Sequence, residues 1–171
     1  MSNNINELAP VELWKNFAAL NDIPRPSKKE GAVIQFMLDF GKKLELPTFK
    51  DEVGNVIIRK PATAGMENRQ IVCLQSHLDM VHQKNTDTVF NFETEGINMY
   101  VEGDWIKAKG TTLGADNGIG VASIMALLAF AYYFNAALGY NADTLRLYGK
   151  LRYTVAIDFL AMLISLGLSL I

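Results

Sequence analysis

Apolar residues recur along the chain at spacings that switch between helical and extended. In "PVELWKNFAAL", Val11, Trp14, Phe17 and Ala18 fall three or four apart, which predicts an amphipathic helix. The prolines of "IPRPS" break that pattern. Ser27 and Glu30 in "SKKE" then stand at capping-box spacing and predict a second helix that buries Ile34, Met37, Leu38 and Leu44. "TFKDEVGNVIIRK" predicts two short strands about a turn at Gly54-Asn55. "RQIVCLQS" is a short, almost uninterrupted apolar run, the pattern of a strand buried on both faces of a sheet. "INMYVEGDWIKAKG" predicts a hairpin turning at Gly103-Asp104, and Asp116 leads into "NGIGVASIMALLAF", a buried helix. Elements mixed in this order predict an α/β fold with a mixed, partly parallel sheet flanked by helices.

The pattern changes near Phe130. No charged side chain occurs from Asn117 to Ala142, and none from Phe159 to Ile171. A membrane-spanning helix needs about 20 apolar residues. The first stretch contains Asn135, Asn141 and several glycines, and the second is short and preceded by Asp158, so the lengths argue against a span. The expected division is 1–128 as one folded part and 129–171 as an apolar tail.

Composition narrows the classes. With 171 residues, half of them apolar and a fifth charged, the chain suits one folded domain of roughly 150 residues. A net charge of -2 offers no electrostatic reason to expect nucleic acid. The amino terminus "MSNNINELAP" has neither a basic nor an apolar signal region, so a cytoplasmic protein is expected. Cys73 is the single cysteine and sits within the apolar run, where a small buried hydrophobe is expected.

Candidate chemistry lies in "SHLDMV" and "GTTLGADNGIG". His77 and Asp79 are two apart, and on an extended backbone such residues face the same side. An imidazole is a favoured zinc ligand, and a carboxylate often takes its other N–H. A hydrogen-bonded strand-end histidine and a turn aspartate would read the same way. Asp116 at a helix start suits an N-cap, a role compatible with a carboxylate that also turns outward to a metal. The glycine-rich loop lacks the Lys-Ser/Thr pair of a P-loop. His82, Lys107 and Lys109 read as surface residues.

Together, "SHLDMV", "GTTLGADNGIG" and "GNVIIRKPATAGMEN" resemble the two-zinc aminoacylase and carboxypeptidase-type metallopeptidases, in particular their Xaa-His dipeptidases. The resemblance runs from about Leu8 to about Leu128. It implies zinc-dependent hydrolysis of small peptides, with a homodimer possible for the full-length form. His77 would bind one zinc, Asp79 would be the catalytic-site residue that orients it, and Asp116 would bridge two zinc ions.

The family pattern also calls for a consecutive glutamate pair, a further acidic ligand and a distant histidine, all after the bridging aspartate. Beyond Asp116 this chain has Asp143 and Asp158, no glutamate and no histidine. The resemblance therefore implies an incomplete zinc-peptidase catalytic domain, a partial metal site at most, and a truncated, inactive form. The other reading is a non-enzymatic fragment whose apolar tail binds a partner or a membrane.

Overall fold

The computed structural model describes residues 4–63 and 65–147. Its elements are a 3-10 turn at Ile5–Glu7, then α1 (Val11–Asn21), α2 (Gly31–Lys43), β1 (Thr48–Lys50), β2 (Val56–Ile58), β3 (Met99–Glu102), β4 (Trp105–Ala108) and α3 (Ala115–Leu147). The fold is mixed α/β. Two compact units are present, one made of residues up to Lys60 with Ile71–Ala129, the other of Pro61–Gln70 with residues from Phe130.

In the first unit, the predicted helical faces meet in a core of Leu20, Val33, Met37, Val121 and Met125. Val33 and Met37 are one turn apart, so α2 presents both to α1 and to the first turns of α3. Ile34, Leu38 and Leu44, expected to be buried, are only half-buried, and from α2 it is Phe36 and Phe40 that pack against this core. Val56 and Ile58 of β2 close one side of this core and Leu78 another. On α1, Phe17 is buried as its spacing predicts, whereas Val11 in the first turn is exposed.

Both predicted turns form. β1 and β2 pair antiparallel, Thr48 opposite Ile58 and Lys50 opposite Val56, around a loop in which Asp51 accepts from the backbone of Val53 and Asn55. β3 and β4 pair antiparallel, Glu102 opposite Trp105, across Gly103-Asp104. Neither pair joins the other.

Four expectations are corrected. The run Ile71 to Gln75 is not in a ladder with β1–β4, and Ile71, Val72 and Leu74 are exposed at 91%, 79% and 50%. Cys73 is exposed with them. A strand buried on both faces lies inside a sheet whose faces are covered by helices, and the described strands bond only within their own hairpins. The expected partly parallel sheet is thus reduced, among the described residues, to one parallel bridge, Pro26 to Met80. The capping box does not form either. Glu30 is the N-cap of α2 without a side-chain cap bond, and the Ser27 hydroxyl points to Asp79 instead.

In the second unit, Met66 N donates to Thr63 O and Arg69 N to Met66 O in successive turns, and α3 continues as helix to Leu147. No described helix is long and apolar enough to cross a membrane. The apolar run Phe159 to Ile171 and Asp158 lie outside the described residues.

Candidate functional site

The segment bearing His77 and Asp79 is fixed by its neighbour Met80, which is 2% exposed. Met80 N donates to Arg25 O at 3.0 Å and Ser27 N donates to Met80 O at 3.2 Å, so Arg25 to Ser27 serve as a rail beside it. The Ser27 hydroxyl reaches Asp79 Oδ2 at 2.5 Å. His77 Nδ1 lies 3.1 Å from both the Asp79 carbonyl and Asp79 Oδ1. The i, i+2 geometry thus brings the imidazole and the carboxylate to one side.

Asp116 arrives from the other direction. Thr112 N donates to Gln83 O at 2.8 Å, and Asn21 Nδ2 donates to Leu113 O at 3.1 Å, which pins the loop ahead of it. Asp116 is extended, with φ -91° and ψ 107°, and the helix proper starts beyond it, where Gly118 N bonds to Gly114 O. Its carboxylate is 95% exposed, and Oδ1 lies 3.2 Å from His77 Nε2. Asp116 therefore reaches a ring 39 positions away along the chain.

A neutral imidazole donates from only one nitrogen, yet His77 faces a carboxylate at each. Partial burial works against the charged ring, but the Asp116 and Asp79 hydrogen bonds outweigh it and raise the His77 pKa above 6.5. The Ser27 hydrogen bond, aided by His77, holds Asp79 below the ordinary carboxylate value of 3.8 against its partial burial. The sign of the linkage follows. His77 favours the folded state below its unfolded pKa, and that contribution is lost as pH rises through the folded value. Asp79 contributes above its unfolded pKa and loses this as pH falls through its lowered value. The pair therefore contributes most between about pH 4 and 6.5. Proton NMR titration of His77 is expected to show a midpoint above 6.5 in the wild type and a lower one in Asp116→Asn; equal midpoints would contradict the contact.

The donors suit zinc in kind and spacing. Two ligands at about 2.0–2.1 Å in a tetrahedral arrangement stand roughly 3.3 Å apart, close to the His77–Asp116 separation. In number they fall short. Among the described residues no group of three histidine, cysteine, aspartate or glutamate side chains could hold a metal. Asp143 lies along α3. His82 packs edge-on to Phe92, and Lys107 and Lys109 are exposed as expected. A cleft of about 390 Å³ lined by Leu8, Trp14, Phe17, Trp105, Ala115 and Ile119 contains none of His77, Asp79 and Asp116. Its walls are mostly apolar with one carboxylate, Asp104, and no histidine or cysteine stands beside it there.

No protein-family model matches the chain. Against curated proteins, 125 residues align at 52% identity with the cytosol non-specific dipeptidase of Escherichia coli (strain K12), covering 73% of this chain and 26% of that protein. The aminoacylhistidine dipeptidase of Vibrio alginolyticus matches in structure with a TM-score of 0.71 at 49% identity, over 74% of this chain and 26% of that one. These similarities relate the chain to the amino-terminal part of the peptidase D-type dipeptidases. It spans about a quarter of the length of these relatives. A tripeptidase of Staphylococcus aureus shares the fold, with a TM-score of 0.53 at 20% identity over 69% of this chain and 31% of that one.

Sequence reasoning missed Asn21, Arg25 and Ser27. Arg25 is buried at 1% exposure, and the Ser27 hydroxyl bonds to Asp79 rather than to a helix end. The available signal was a set of polar side chains clustered around "IPRPS", between two helices.

Proposed function

We propose that the chain carries half of the metal site of a dipeptidase that hydrolyses small peptides of the Xaa-His type, within an incomplete catalytic domain spanning 1–128 and followed by an apolar tail, 129–171. The observation that carries this reading is the convergence of His77 Nε2 and Asp116 Oδ1 to 3.2 Å, on a chain related to two dipeptidases. His77 and Asp116 would hold zinc, and Asp79 would orient the ring. Zinc, when bound, supplies polarisation of a peptide carbonyl and acidification of a water molecule.

The residues of the chain prepare for this in a definite order. Ser27 donates to Asp79 Oδ2, leaving Oδ1 for His77 Nδ1. That contact fixes the Nδ1–H tautomer once the ring is neutral and leaves the Nε2 lone pair facing Asp116. Asp79 stays anionic because its pKa is lowered. Asp116, being exposed, presents its second oxygen outward. A small peptide is the proposed substrate, and the cytosolic setting follows the name of the Escherichia coli relative.

The test is cobalt titration of the purified chain, read by visible absorption. Weak uptake of one ion is expected, weaker at lower pH because protons compete for His77. Both His77→Ala and Asp116→Ala are expected to lower the affinity at least tenfold. Uptake unchanged in both variants would rule out these ligands.

A further inference from the structure

Arg25 is the largest fully buried side chain of the described residues, and its guanidinium lies between the two loops of the proposed site. Nη1 donates to Leu78 O at 3.1 Å and more weakly to Asp79 O at 3.4 Å. Nη2 donates to Gly114 O at 2.8 Å and to Asn21 Oδ1 at 2.7 Å. Asn21 in turn donates to Leu113 O. One planar fork thus holds backbone carbonyls on both the His77 side and the Asp116 side.

The glycines of the second loop fit the same group. A Cβ on Gly114, whose φ is +71°, would strike Arg25 Nη2, and one on Gly118 would come within 2.8 Å of it. The backbone approaches the guanidinium as closely as it does because those positions lack side chains. Burial lowers the Arg25 pKa to about 10, with the Asp79 charge opposing that shift, so the fork stays protonated at neutral pH. Nε is buried without a partner, a cost the other contacts must offset. The Ser76 hydroxyl also links the two segments, through Asn117 O at 3.1 Å. That single neutral bond is weaker than a charged fork with four acceptors.

We propose that Arg25 is a positioning residue that sets the His77–Asp116 separation by clamping Leu78 and Asp79 to Gly114. This rests on the metal-site reading for its functional meaning, but the clamp itself can be measured without metal. A lysine keeps the charge and the aliphatic stem but carries one compact ammonium, which cannot serve carbonyls on both loops as a fork does.

The experiment compares wild type, Arg25→Lys and Arg25→Met in the full chain. In the metal-free protein, the nuclear Overhauser contact between the His77 ring and the Asp116 β-protons is measured against methyl signals of Leu20, Val33 and Met125. The contact is expected in the wild type, weakened in Arg25→Lys and absent in Arg25→Met, with the core signals unmoved. Cobalt affinity is expected to fall about tenfold or more in Arg25→Lys. Wild-type contact intensity in Arg25→Lys overturns the proposal, and this variant alone decides if Arg25→Met fails to fold. A wild type that binds no cobalt defeats the metal reading, while the ring contact still decides the clamp.

Discussion

The 171-residue chain by itself is expected to show no measurable hydrolysis of a Xaa-His dipeptide such as β-alanyl-histidine, with or without added zinc. His77 and Asp116 supply two donors, and no third candidate joins them among the described residues. A catalytic zinc normally holds about three protein ligands and a water. After Asp116 the chain also has no glutamate or histidine to serve as general base. Loss of such a base alone typically removes about 10²–10⁴ in rate, and a loosely held metal lowers the rate further. The measurement is product release followed by amino-acid analysis at high protein concentration. Hydrolysis abolished both by a chelator and by Asp116→Ala would overturn the expectation, because only a working site in this chain could produce that pair of results.

The second large effect concerns the core. Leu20→Ala is expected to destabilise the first unit by about 2–5 kcal/mol, the range for deleting a buried leucine side chain. Leu20 is fully buried among Val33, Met37, Val121 and Met125, so three helices lose a shared contact together. Small domains are stable by about 5–15 kcal/mol, so such a loss shifts the urea midpoint visibly. Val53→Ala, at a side chain 84% exposed, is the control and is expected to move the midpoint little. A Leu20→Ala midpoint equal to that of the control would mean that α1 does not pack on α2 and α3 as described.

Much of the local structure was legible. The spacing of Trp14, Phe17 and Ala18 marks α1 because the helical repeat is local, set by residues three and four apart. Both hairpins could be read from their turn residues, since Gly54 and Gly103 adopt φ values of +102° and +61°. The contact of His77 with Asp79 joins residues two apart, so it too is local.

What lay beyond the sequence was everything that depends on which distant segment supplies a partner. "RQIVCLQS" has the composition of a buried strand, yet burial needs a sheet to join and a layer over its faces, and Ile71 and Val72 lie open and unpaired with β1–β4. Ser27 matches a capping box within its own four residues, but its hydroxyl bonds to Asp79, 52 positions away. Arg25 looks like an ordinary surface cation until the folded chain surrounds it with carbonyls from Leu78 and Gly114. By itself the sequence determined the helices and the turns, because these follow from residue type and near-neighbour spacing. Only the tertiary structure decided which donors meet and which apolar residues are covered, because hydrogen bonds and burial between remote segments are satisfied once, in the folded chain, by whichever groups the packing brings within reach.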